Sequence, residues 1–160
     1  MDRTQKTILA VIAVLLALAL IAALVWGAWY LRQRKKFSPP PFEAAAVEGE
    51  PTVSADRGFV YADLWEGLRV GLCGKGKMDG DDLSIYFSSP ATNTAWIKVK
   101  VYDEDGTLLG ESGLLRPGEY VERVALSSRP SGETAKLKVL SYEPETYYSL
   151  GAAETTIEVK

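Results

Sequence analysis

The chain contains no histidine. That removes Ser-His-Asp and Cys-His catalysis and every His-ligated metal site. It contains one cysteine, Cys73, which excludes an intramolecular disulfide and a thiolate zinc cluster. Its single asparagine, Asn93, is followed by Thr94 and Ala95, so no N-glycosylation sequon is present. The aromatic and aliphatic residues, by contrast, are plentiful and unevenly placed.

Residues 8–31 read ILAVIAVLLALALIAALVWGAWYL, 24 positions without a charge. At about 1.5 Å per residue this is roughly 36 Å of helix, enough to cross a hydrocarbon core of about 30 Å with some tilt. A cleaved signal peptide has a shorter apolar region and a small-x-small site. Here the run closes on Trp26, Trp29 and Tyr30, which suit an aromatic belt at one interface, so a retained single-pass anchor in a lipid bilayer is expected. Arg32, Arg34, Lys35 and Lys36 then sit at the level of lipid head groups.

Charge divides along the chain. Of the 18 basic and 21 acidic residues, six basic ones and one acid lie in residues 1–36, leaving 12 basic and 20 acidic beyond. The stem is therefore basic and the remainder acidic, which argues against nucleic acid as a partner. The positive charges after the run slightly outnumber those before it, which favours a cytoplasmic C-terminal domain. A short basic N-terminus before a long apolar run is also the layout of a signal anchor that exports the C-terminal part of its chain. Export is the preferred reading, and the cytoplasm-facing arrangement stays open.

The expected organisation is a short tail at 1–7, the membrane helix at 8–31, a basic collar and Pro-rich stalk at 32–57, and a β-domain at 58–160. Pro39-Pro40-Pro41 stops the helix and favours an extended spacer. From Phe59 the period changes to two. Ile97, Val99 and Val101 alternate with Lys98 and Lys100, and Ala135, Leu137 and Val139 with Lys136 and Lys138. Such alternation predicts strands with one buried and one wet face. Strands are expected at 59–64, 68–73, 83–88, 96–102, 107–111, 120–126, 134–141 and 155–159. Asp/Gly/Pro clusters lie between them, and Asp103-Glu104-Asp105-Gly106 reads as a hairpin turn. The fold class is mainly β: an immunoglobulin- or fibronectin-like antiparallel sandwich behind one transmembrane helix.

Few residues point to chemistry. The acids Asp79, Asp81 and Asp82, and Asp103, Glu104 and Asp105, lack the spacing of a calcium loop and read as solvated turns. Gly71 to Gly76-Lys77 has Walker spacing, but Met78 replaces the hydroxyl residue and no helix is expected after it, so a flexible loop is expected. Cys73 has no histidine to activate it and reads as a small buried side chain. No pair of carboxylates is singled out for glycoside hydrolysis. No cofactor, metal or catalytic residue is expected. The aromatics are the best contact candidates: Trp96 and Tyr102, expected on one outward face with Tyr86, and the cluster Tyr142, Tyr147 and Tyr148. Cross-strand pairs that merely stabilise the sheet are the commoner explanation for such residues.

The stretch from Trp96-Ile97-Lys98-Val99-Lys100-Val101 through Asp103–Gly106 and Leu109–Val121 to Tyr142–Ser149 resembles small single-pass, largely uncharacterised envelope proteins of Gram-positive bacteria, often carried near mobile-element genes. The resemblance covers about a third of the chain and implies an exported domain; it brings no catalytic residues. Three functions are compatible with the sequence. The first is a non-enzymatic anchored module contacting a protein partner or envelope polymer. The second is a structural subunit whose membrane helix packs on partner helices. The third, an enzyme, lacks both histidine and a specific constellation.

Overall fold

The structure, a computed structural model, describes residues 2–33 and 37–160 (for Lys6, Ala10 and residues 31–33, backbone only). The chain separates into two compact units, Met1–Ser38 and Pro39–Lys160. The first holds one helix, α1 (Arg3–Gln33), five residues longer at its start than the apolar run alone. It is the one helix among the described residues long and apolar enough to cross a membrane. Its described Ile, Leu and Val side chains are exposed all round. Trp26 and Trp29, one turn apart, meet edge to face at 6.4 Å, and Tyr30 sits next to them on the exposed surface. Of the expected collar, Arg34, Lys35 and Lys36 lie outside the described residues, as does the side chain of Arg32.

The second unit is mainly β. Its strands are β1 (Val47–Glu48), β2 (Phe59–Trp65), β3 (Leu68–Cys73), β4 (Lys75–Asp79), β5 (Asp82–Ser89), β6 (Trp96–Tyr102), β7 (Leu108–Glu111), β8 (Glu119–Ala125), β9 (Thr134–Tyr142) and β10 (Ser149–Val159). They form one continuous sheet in the order β1-β8-β5-β4-β10-β9-β6-β7, curled into an open half-barrel. The expected sandwich has two separate antiparallel sheets. The difference lies in β4, which pairs antiparallel with β5 and parallel with β10, through Glu158↔Lys75 and Val159↔Gly76, and so joins the two halves. The supposed flexible loop at 71–77 is therefore the end of β3 and most of β4.

The sheet forks at β5. Its first half pairs with β4 and its last residues meet β3 at Gly71↔Ser88. Between them Tyr86 takes φ +50° and the register against β8 slips between Ser84 and Phe87. A bulge of this kind turns a strand and lets it change partners. The β2–β3 hairpin thus leaves the main sheet, and its face of Val60, Ala62, Leu64, Val70 and Leu72 turns toward Val139, Ala153 and Thr155 of the β9–β10 hairpin.

Side chains from both halves fill the interior. Leu83, Ile85 and Phe87 of β5, Ile97, Val99 and Val101 of β6, and Ala135, Leu137 and Val139 of β9 are buried in one cluster. The two-residue alternation of β6 and β9 therefore marks the core face as expected. Asp103 and Gly106 make the β6–β7 hairpin turn: Asp103 N donates to Thr107 O at 2.8 Å and Gly106 N to Asp103 O at 3.0 Å. At the far edge Gly110 bridges Leu126, and a Cβ on Gly110 would collide with the Ala125 carbonyl oxygen. Only glycine permits that approach.

Candidate functional site

The segment 37–57, expected to be a spacer, is built into the domain from Pro39 onward. The Pro41 carbonyl accepts a bond from Leu114 N, and Glu43 N donates to Leu114 O, both at 2.9 Å. Phe42 thereby forms a parallel bridge to Leu114. The Glu43 carboxylate accepts bonds from Gly113 N at 2.6 Å and Ala45 N at 3.1 Å. A Cβ on Gly113 would lie 2.5 Å from the Glu43 backbone, so the contact requires glycine there. Further on, Val47 and Glu48 pair with Tyr120 and Glu119. A composition of proline, alanine and acid does suggest a stalk. One aromatic residue and a set of backbone bonds outweigh it.

That aromatic residue organises the candidate surface. The Phe42 ring meets Trp96 edge to face at 4.8 Å, and the Arg116 guanidinium lies 3.7 Å from the Phe42 centroid. Trp96 in turn meets Tyr147 at 5.3 Å. Tyr147 reaches it from a strained turn. Glu145 and Tyr147 have φ +69° and +59°, values that non-glycine residues hold only when surroundings compel them. The turn is braced by Glu143 N to Tyr148 O (2.8 Å), Tyr147 N to Glu143 O (3.0 Å) and Thr146 Oγ1 to a Glu143 carboxylate oxygen (2.6 Å).

Of the residues singled out in the sequence, Trp96, Tyr142 and Tyr147 come together: Trp96 and Tyr142 are register partners across β6 and β9. All three are half-buried. Tyr148, in the same turn, is 71% exposed, and the neighbouring Leu150 is 52% exposed. Tyr102 does not join them. It stands at the other end of β6 opposite Lys136, in a shallow depression with Lys138 and Glu154. Tyr86 is also elsewhere, since β5 is not a neighbour of β6 in the sheet. No local pattern points to Phe42, Glu43, Gly113, Arg116 or Leu150. The one available signal was an aromatic directly behind Pro39-Pro40-Pro41.

The outward side of β6 also departs from the alternation. Lys98 is buried, its side chain 5% exposed, and its Nζ is 2.9 Å from Glu111 Oε1; Lys100 lies 3.4 Å from Oε2 of the same residue. Residues 112–115 run on alongside this part of β6, with Ser112 N bonded to Val99 O and Leu115 paired to Ile97. Burial pushes the Glu111 carboxyl up, but the two ammonium groups outweigh it and hold the group below its ordinary range.

The remaining candidates have structural duties. Asp103 accepts bonds from Glu104 N and from Ser131 N and Oγ, and these hold its carboxyl below the usual aspartate value. Asp79 pairs with Arg123 at 2.6 Å. Among the described residues no group of His, Cys, Asp or Glu is placed to hold a metal ion. Cys73 is fully buried, and burial raises its thiol above the ordinary value, away from a reactive thiolate. No family model matches the chain, and no curated protein matches it.

Proposed function

We propose that this protein is a membrane-anchored, non-enzymatic module that presents a binding or assembly surface at the cell envelope, with the β-domain on the extracytoplasmic side. The single observation that carries this is the aromatic tip beside the latched juxtamembrane segment. Tyr148, on a turn whose backbone is strained and braced, and Leu150, at the start of β10, stand exposed there. Large apolar side chains held out of a core on a rigid turn are the usual anchors of a protein contact. Five residues separate Gln33 from Pro39, at most about 20 Å of extended chain.

The resemblance to Gram-positive envelope proteins supports the exported orientation. The curled half-barrel, with hairpins packed across a shared core, supports a divergent relative of the immunoglobulin-like sandwich. A photo-crosslinking residue at position 148 tests the surface in intact cells. A discrete adduct is expected there and not at position 86, on a separate part of the sheet. Equal labelling at both would reject the tip as the contact. Replacing residues 8–31 by an unrelated apolar helix separates this reading from a subunit that assembles through its membrane helix. The adduct should survive the exchange.

A further inference from the structure

We infer that the hollow ringed by Arg57, Lys75, Lys77 and Lys160 is a binding site for a phosphate group, carried by a soluble phosphoester or by a lipid head group. Twelve basic residues lie beyond position 36, among 20 acids. Six of the twelve are ion-paired: Arg69, Lys98, Lys100, Arg116, Arg123 and Lys138. The other six have no carboxylate within ion-pair distance among the described residues. Two of them, Arg129 and Lys136, donate to backbone carbonyls elsewhere on the surface. The remaining four line one hollow of about 440 Å³. Like charges gathered in one place repel, and a domain rich in acids has the means to neutralise them. Here they are left together and open to an anion from outside.

Three segments bring the cations together. Arg57 ends a single 3-10 turn, Ala55–Arg57, which is hooked to the corner between β3 and β4: the carbonyl of Gly58, at φ +60°, accepts a bond from Gly74 N at 3.0 Å. The Arg57 guanidinium is fixed by neutral acceptors. Its Nε donates to Lys75 O at 3.1 Å and its Nη2 to Ser84 O at 2.6 Å, with the Tyr86 ring centroid 5.7 Å away. Nη1 makes no hydrogen bond among the described residues, so a half-buried and immobile cation keeps two free N–H groups. Lys75 and Lys77 are two apart on β4 and share its outward face, while Gly76 between them is buried against Leu83 and Ile157. Lys160 is set beside Lys77 by Lys160 N donating to Gly76 O at 3.0 Å and Met78 N to Lys160 O at 2.9 Å. Two acids stand close by. The Asp56 carboxyl is held below its ordinary value chiefly by the Ser54 hydroxyl, and Glu158 is the register partner of Lys75; neither is ion-paired with the four cations. A carboxylate offers such a ring one charge and two oxygens in a plane. A phosphate group carries up to two charges on oxygens spread tetrahedrally, and so meets a guanidinium and several ammonium groups at once.

The test maps amine acetylation by mass spectrometry on the full-length chain in neutral-detergent micelles. Added glycerol 3-phosphate should slow the labelling of Lys75, Lys77 and Lys160 about fivefold relative to Lys136, and succinate at the same ionic strength should not. Protection by micelles doped with phosphatidylglycerol, without protection by glycerol 3-phosphate, would support the site and identify a lipid head group as the carrier. Arg57→Gln should abolish the protection. Lys160→Gln leaves every backbone bond in place and should cut the protection of Lys75 and Lys77 about threefold. Arg129→Gln, an equal loss of charge elsewhere, should leave it unchanged. Protection by neither probe, equal slowing at Lys136, or equal protection by succinate would overturn the proposal. These readings depend neither on the orientation of the domain nor on the aromatic tip, so failure here leaves the proposed function standing.

Discussion

Replacing Phe42 by alanine should open the juxtamembrane segment without unfolding the domain. The ring is half-buried, which by area accounts for about 1 kcal/mol. Its edge-to-face contact with Trp96 and the overlying Arg116 guanidinium add about 1 kcal/mol between them after allowing for solvent exposure. The loss is therefore about 2 kcal/mol, and it falls on one docked segment. In hydrogen exchange this is an acceleration of about 30-fold, confined to the amides that the segment protects. Those amides are Gly113 N, bonded to the Glu43 carboxylate, and Leu114 N, bonded to the Pro41 carbonyl. Amides in the middle of β6 and β9 should keep their wild-type rates. Gly113→Ala reaches the same state independently, because its Cβ would strike the Glu43 backbone. The reasoning is refuted if Phe42→Ala leaves Gly113 and Leu114 unchanged. It is equally refuted if every core amide accelerates together, since the segment would then be no separate unit.

The buried ammonium of Lys98 makes a second test. Glu111→Ala removes its partner and should cost about 2 kcal/mol, below the range for fully buried pairs because Glu111 is itself 43% exposed. Lys98→Met should recover most of that loss in the Glu111→Ala background, measured by urea unfolding as a double-mutant cycle. The pH dependence of stability is a third test. Glu111 and Asp103 both titrate below their ordinary values of 4.5 and 3.8, so their contribution is fully present above those values and is lost as pH falls through the lower, folded ones. With no histidine in the chain, stability should be flat from about pH 5.5 to 8 and fall only in acid, and Asp103→Asn should flatten the acid limb.

The long apolar helix was legible because 24 uncharged positions leave few alternatives. The strands with strict alternation, β6 and β9, were legible because their period is a local property of the sequence. What escaped was set by pairing rather than by pattern. Lys75-Gly-Lys-Met-Asp79 alternates only faintly, with a glycine and one methionine at its inward positions, and it is a strand because β5 and β10 hold it from both sides. Ser149–Glu154 consists mainly of small residues and pairs with β9 by register alone. Lys98 reads as a wet-face residue, yet its side chain is buried and paired with Glu111, a neighbour that only the pairing of β6 with β7 supplies. The docking of Phe42 and Glu43 depends on Gly113, 70 positions beyond Glu43, and no local reading of a Pro-rich segment shows that. Of the aromatic residues singled out in the sequence, Trp96, Tyr142 and Tyr147 lie close together with Tyr148 in the same turn, whereas Tyr102 stands at the other end of β6 and Tyr86 on β5, separations that only the strand order reveals.

The central claim is a domain held outside the cell by α1. Thr52→Cys on a Cys73→Ser background puts one exposed thiol on the N-terminal segment of the domain, close in sequence to the tether. Intact cells treated with an impermeant maleimide should label this protein to the same extent as cells broken open first. Protection until lysis would place the domain in the cytoplasm and contradict the account.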